Sequence, residues 1–288
     1  MLLARRWSIV TIKSEILHAP KAIEREKIMN TIKWVSCIGL ITIIALSLMG
    51  CGTREAKTLK DLAKKRQVQK VYIEEQEGYT PYLVLSDSYD GKVLLLREQV
   101  LPELMQYKEH SDLWGHYEYG SYYEQSSVDA YLNQEFLERI SEPVRDCIAD
   151  TSIEVTDLTA YDEWDYATHT IERKVFLLSS VEMGVEGLDG YTTTVEGEPL
   201  DYFTNKEMVA KRAYDPEGNA CPYWTRTPEL WESCTVVVIG IKVVGASTAD
   251  QSLGVRPAFC MPPDTAVHKS DKVIEGESVY IVGQDGKS

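Results

Sequence analysis

Tyr82-Leu83-Val84-Leu85, Ser86-Asp87-Ser88-Tyr89-Asp90-Gly91 and Lys92-Val93-Leu94-Leu95-Leu96 follow one another without a break, and this stretch decides the fold class. Two short apolar runs flank a segment of turn formers, the pattern of an antiparallel hairpin. Val71-Tyr72-Ile73, just upstream, is a third run of the same kind. The chain from Val71 onward therefore reads as β.

Helical signals come next, after an aromatic-rich stretch that holds Tyr107, Trp114, His116, Tyr117, Tyr119, Tyr122 and Tyr123. Val128, Tyr131, Leu132, Phe136 and Ile140 share one helical face, and Ser126 with Asp129 has the spacing of a capping pair. A second short helix is expected over 143–149, with Pro143 suited to its first turn. Strands follow at 152–156 and 174–178. Ser179 and Glu182 have capping-box spacing, 184–198 reads as a mobile loop, and Thr204 with Glu207 opens a helix towards Ala213. The C-terminal third returns to β at 223–226, 235–239, 242–245 and 254–259, with Ile239-Gly240-Ile241 turning one strand into the next. The expectation is an α+β domain: a mainly antiparallel sheet with two or three packed helices.

The N-terminal segment carries a different message. Residues 34–48 hold no charge over 15 positions, and Lys33 precedes them. That length suits a signal-peptide core and falls short of the roughly 20 residues a spanning helix needs. Leu48-Met49-Gly50-Cys51 closes the run and looks like a lipoprotein lipobox, which makes Cys51 the expected lipidation site. An uncleaved membrane anchor is the alternative, and it places the domain on the same side of the membrane. Met29 opens an ordinary n-region, so residues 1–28 are expected to be an extension from a misassigned start. The expected organisation is an extension at 1–28, a signal peptide at 29–50, a charged tether at 51–70, a globular domain at 71–265 and a polar tail at 266–288. A further strand is expected at 278–282 within that tail.

Without residues 1–50 the formal charge falls from −15 to −19. Such a surface repels nucleic acid, which is excluded as a partner. The expected partners are the membrane, through the N-terminal lipid, and a glycan or a cell-surface protein. Four cysteines follow Cys51: Cys147, Cys221, Cys234 and Cys260. None has the C-x-x-C spacing of a zinc or redox centre, and the pairing of the last three stays open.

Four motifs in order carry a family resemblance. They are Tyr-Tyr-x-x-Ser-x-Val-Asp-x-Tyr-Leu-Asn-x-x-Phe at 122–136, Arg-Lys-Val-Phe-Leu-Leu-Ser-x-x-Glu at 173–182, Tyr-Trp-Thr-Arg-Thr-Pro at 223–228 and Gly-Val-Arg-Pro-Ala-Phe at 254–259. Together they resemble the DUF6273 family, a domain of unknown function found in exported proteins of Gram-positive gut bacteria, over roughly 71–263. The resemblance implies export and no particular activity. A weaker likeness, at the level of fold alone, runs to C-type-lectin-like and formylglycine-generating-enzyme-like domains. Their Glu-Pro-Asn, Gln-Pro-Asp and Trp-Asn-Asp motifs are absent, and Glu198-Pro199-Leu200 does not supply one.

No H-E-x-x-H, G-x-S-x-G, S-x-x-K or P-loop spacing occurs, so no catalytic residue is assigned. His110, Asp112 and His116, and separately Asp162, Glu163 and Asp165, are the oxygen- and nitrogen-rich clusters. Neither has the spacing of a defined metal site, and no metal or cofactor is expected. Aromatic side chains give the better binding argument, since exposed rings stack on sugars at little entropic cost. Trp114, Trp164, Trp231 and Tyr223 are the candidate ligand-binding residues, while Trp224 is expected in the core and Arg256 as a loop anchor. The expected function is non-catalytic binding of a glycan or surface protein. The alternatives are an extracytoplasmic hydrolase with an unrecognised site and a structural spacer.

Overall fold

The hairpin forms, but its turn is much tighter than the sequence suggests. In the computed structural model, β1 (Gln69–Glu75), β2 (Gly78–Tyr89) and β3 (Lys92–Arg97) form an antiparallel meander. Tyr89 pairs with Lys92, so Asp90-Gly91 alone makes the turn. Both residues have positive φ, 47° and 72°, as a two-residue hairpin turn of this hand requires. Ser86, Asp87 and Ser88 are strand residues rather than turn residues. The register slips between Val84 and Ser86 and again between Ser86 and Tyr89. Such bulges bend a strand and re-aim its side chains.

The structure describes residues 58–64, 69–108, 122–158, 167–185, 193–204, 208–230, 235–274 and 277–283. The meander continues on both sides into a seven-stranded sheet. Beside β3 lies β14 (Ala258–Met261), and beyond it β7 (Val175–Phe176), both antiparallel. Beside β1 lies β16 (Glu277–Val282), in parallel, and outside it β15 (Val267–Ile274). The remaining pairings are antiparallel. β10 (Tyr223–Glu229), β11 (Thr235–Ile239) and β12 (Val244–Thr248) make a second sheet, and β5 (Thr151–Thr156) pairs with β6 (Thr168–Arg173). Two short pairings complete the β structure: β4 (Met105–Gln106) with β13 (Ser252–Leu253), and β8 (Ala213–Tyr214) with β9 (Ala220–Cys221).

α1 (Leu59–Ala63) precedes the meander. The expected helix from Ser126 is α2 (Ser127–Tyr131), continued by a wider π turn over Leu132–Phe136 and a tighter turn over Leu137–Arg139. Ser126 caps it, its Oγ accepting from the Asp129 N–H at 3.0 Å. Val128, Leu132, Phe136 and Ile140 are buried in the central core, as their spacing predicts. α3 (Glu142–Arg145) carries Pro143 in its first turn, and α4 (Met208–Lys211) comes before the second sheet. Helices and a mostly antiparallel sheet make the molecule α+β.

Both ends of the expected domain need correction. Residues 58–64 of the expected tether are part of the fold: Leu59 and Leu62 are fully buried, Thr58 caps α1, and Thr58 bridges to Ala266. The expected polar tail supplies β15 and β16, and Val267, Val279, Ile281 and Val282 are buried. The expected mobile loop over 184–198 contains the buried Thr194 and Glu196. β6 has no counterpart in the sequence reading.

Candidate functional site

The bulged end of β2 lines the site. Ser86, Asp87, Ser88 and Tyr89 leave the regular ladder and border a cleft of about 780 Å³. Strand alternation on β5 sends Ile153 and Val155 into the core and Ser152 and Glu154 towards the cleft. The opposite wall is the segment from Gly197 to Tyr202. Its Leu200 and Phe203 are buried, and the Leu200 N–H donates to the Glu182 carbonyl at 3.0 Å. Ala63 of α1 also borders the cleft.

Beneath the cleft lies a closed polar network. Arg226 on β10 forms a bidentate pair with Glu182, Nη1 to Oε2 at 2.6 Å and Nη2 to Oε1 at 2.8 Å. Its other donors go to the backbone carbonyls of Glu154 and Leu177, each at 2.9 Å. The Ser179–Glu182 capping box forms in both directions: the Ser179 N–H donates to Oε2 at 2.9 Å and the Glu182 N–H to the Ser179 Oγ at 3.0 Å. Tyr89 reaches down from the cleft and donates its hydroxyl to Glu182 Oε1 at 2.5 Å. Burial, and then the Glu182 charge, push the Tyr89 phenol well above its ordinary value, which keeps it a neutral donor.

A second buried acid adjoins this pair. Glu196 accepts from the Thr156 N–H and hydroxyl, each at 2.8 Å, and from the Thr227 hydroxyl at 2.6 Å. Burial raises its carboxyl above the usual glutamate range, and Arg226 opposes that shift. Gly197 follows with a φ of +79°, and a Cβ there would meet Glu182 Oε1 at 2.9 Å. The wall can therefore approach the buried pair only through glycine. The Gly197 N–H donates to Glu154 Oε2 at 2.8 Å.

The cleft surface combines hydroxyls, carboxylates and two half-buried rings. The Tyr89 ring stacks on Phe176 with centroids 5.7 Å apart, and Tyr202 packs edge-on against Phe203 at 4.7 Å. Asp90 is held below the usual carboxylate range, first by its bond with Lys92 and also by the Ser152 N–H. This arrangement can accept hydrogen bonds from a polar ligand and stack against its apolar faces. Among the described residues, no group of three or more His, Cys, Asp or Glu is arranged to hold a metal ion.

The sequence-selected residues lie elsewhere. Tyr223 is 2% exposed, donates its hydroxyl to the Lys211 carbonyl at 2.5 Å and accepts from Arg256 at 3.3 Å. It is a core residue, because β10 is buried along its whole length. Cys51, Trp114, Trp164 and Trp231 lie outside the described residues, as do His110, Asp112, His116, Asp162, Glu163, Asp165 and Cys234. Trp224 is buried, as expected, with its indole N–H on the Met105 carbonyl at 2.8 Å. Arg256 anchors backbone, as expected, through the Arg97 carbonyl at 2.8 Å. Cys147, Cys221 and Cys260 are free thiols, and burial pushes that of Cys260 up to about 12. Sequence reasoning missed Tyr89, Asp87 and the Glu198–Tyr202 wall. Their signal, an aromatic ring beside carboxylates, occurs twice, in Asp87-Ser88-Tyr89-Asp90 and in Asp201-Tyr202.

A family model described as "Domain of unknown function (DUF6273)" matches residues 90–263. No curated protein and no solved structure matches the chain.

Proposed function

Because the chain belongs to the DUF6273 family, whose description names no activity, we propose a function from the cleft itself: non-catalytic binding of a glycan. The observation that carries this reading is the cleft of about 780 Å³ with Tyr89 and Tyr202 among serine hydroxyls and carboxylates. Pockets for small ligands span roughly 300–1,000 Å³. A saccharide presents hydroxyl donors around its rim and C–H groups on its faces, and this lining answers both. The two fully buried acids beneath, Glu182 and Glu196, are committed to Arg226, Tyr89, Ser179, Thr156 and Thr227. That commitment favours a binding site over the hydrolase alternative, which needs carboxylates free to exchange protons.

The same proposal places the domain on the outer face of a membrane, held by lipid on Cys51. The uncharged run at 34–48 and the Leu-Met-Gly-Cys motif support it. Among the described residues, no helix is long and apolar enough to cross a membrane. Metabolic labelling with a fatty-acid analogue should mark the wild type and leave Cys51→Ala unmarked; label on both would refute lipidation at this residue. For the ligand, a glycan array probed with the full-length protein in detergent should give hits that Tyr202→Ala loses. Hits kept undiminished by Tyr202→Ala would remove the cleft from the account.

A further inference from the structure

The charge of the cleft narrows the ligand, given the glycan reading above. Its lining contains Asp87, Asp90, Glu154, Glu182, Glu198 and Asp201, and no lysine, arginine or histidine among the described residues. Three of these carboxylates are already answered. Asp90 pairs with Lys92, Glu154 accepts from the Gly197 N–H, and Glu182 pairs with Arg226. Asp87, Glu198 and Asp201 have no ion-pair partner among the described residues, and they stand on opposite walls, one on β2 and two on the 197–202 segment.

A neutral sugar can donate hydroxyls to these oxygens but leaves their charges facing one another across the cleft. An ammonium group supplies three N–H donors and the missing charge together. The two rings fit the same guest, because an aromatic face attracts a cation and also stacks on a sugar ring. Each ring is braced from behind, Tyr89 by Phe176 and Tyr202 by Phe203. The geometry points to an amino sugar with its amine free as the ligand class, rather than an N-acetylated or acidic glycan. We propose that Asp87, Glu198 and Asp201 receive the ammonium while Tyr89 and Tyr202 contact the ring.

The test is calorimetric titration of the full-length protein in neutral detergent with a β-1,4-linked glucosamine hexasaccharide, its fully N-acetylated counterpart and a linear polyamine. Titrations are run at low and high salt, each with and without chelator. The inference predicts at least tenfold tighter binding of the free-amine sugar than of the acetylated one, weakening with salt and unchanged by chelator. It also predicts loss of that binding in the triple variant Asp87→Asn, Glu198→Gln, Asp201→Asn, whose melting curve should match wild type since these side chains pair with nothing described. Equal or tighter binding of the acetylated sugar overturns the ammonium inference and keeps the glycan reading. Polyamine binding as tight as that of the free-amine sugar keeps the ammonium inference and removes the glycan reading. Binding that survives in the triple variant, or that disappears with chelator, overturns the assignment of these carboxylates. Silence from all three probes overturns both readings.

Discussion

Two buried arginine–glutamate pairs sit in this molecule, and they differ in what lies above them. Arg97 and Glu75 pair across β2, Nε to Oε1 at 3.1 Å and Nη2 to Oε2 at 3.3 Å. The Tyr82 hydroxyl adds a bond to Glu75 at 2.7 Å, and the Gln99 and Val100 carbonyls take the remaining arginine donor. Everything around that pair is protein. Arg226 and Glu182 make the same bidentate chemistry, but Glu182 also borders the cleft and Tyr89 connects the two. One pair only holds the sheet together. The other holds the floor of a surface that is open to a ligand. Buried charge pairs are weak evidence for net stability, so the useful question is what each pair positions.

Breaking the pairs gives the largest effects. Arg226→Met strands Glu182 in a fully buried site and removes the cation that offsets Glu196. A loss of about 3–5 kcal/mol is expected from an uncompensated buried charge, read by urea denaturation. Arg97→Met should cost somewhat less, since one acid rather than two depends on it. Glycan binding, measured under conditions where both variants remain folded, should fall only in the Arg226 variant. Equal binding losses in both would erase the distinction between the pairs.

Gly197→Ala tests how closely the cleft wall must approach the floor. The added Cβ meets Glu182 Oε1 at 2.9 Å, and the positive φ disfavours any side chain. Backbone strain of this type costs about 1–3 kcal/mol, and the displaced wall should weaken binding beyond what the stability loss explains.

A smaller effect separates the pairs by pH. Burial raises the folded Glu196 carboxyl above its unfolded value of about 4.3. Its contribution is fully present below the unfolded value and is lost as pH rises through the folded one. Glu196→Gln should therefore flatten this part of the stability–pH profile. A profile that declines unchanged in the variant would assign the dependence to other groups. The smallest stability effect belongs to Tyr202→Ala, within about 1 kcal/mol for a half-buried ring at the surface, although binding should be lost.

The parts of the fold written in local chemistry were readable. Ser126 and Asp129 announced the helix cap, Ser179 and Glu182 the capping box, and Asp90-Gly91 the hairpin turn. β6 and β15 were not readable from apolar runs. Thr-His-Thr-Ile-Glu-Arg on β6 is buried nowhere along its length, and Val-His-Lys-Ser-Asp-Lys-Val-Ile on β15 is an edge strand whose charges suit that position. The family motifs turned out to be written largely in structural bonds. Asp129 receives Arg173 bidentately, Asn133 ties the helix to the β7 backbone, and Trp224 and Arg256 hold carbonyls. The cleft could not be read at all from local sequence, since Asp87, Glu154 and Tyr202 meet only after the walls have packed. Tyr223 misled because a ring within an apolar strand motif gives no local sign of which face is solvent.

The most direct test of the central claim is a residue-resolved NMR titration of the isotope-labelled protein with the strongest glycan from the array. The account predicts saturable amide shifts concentrated at Ser86–Asp90, Ser152–Glu154 and Gly197–Tyr202, with the signals around Arg97 and Glu75 unmoved. Shifts centred instead on the groove between Asn133 and Glu172, or spread evenly along the chain, would contradict it.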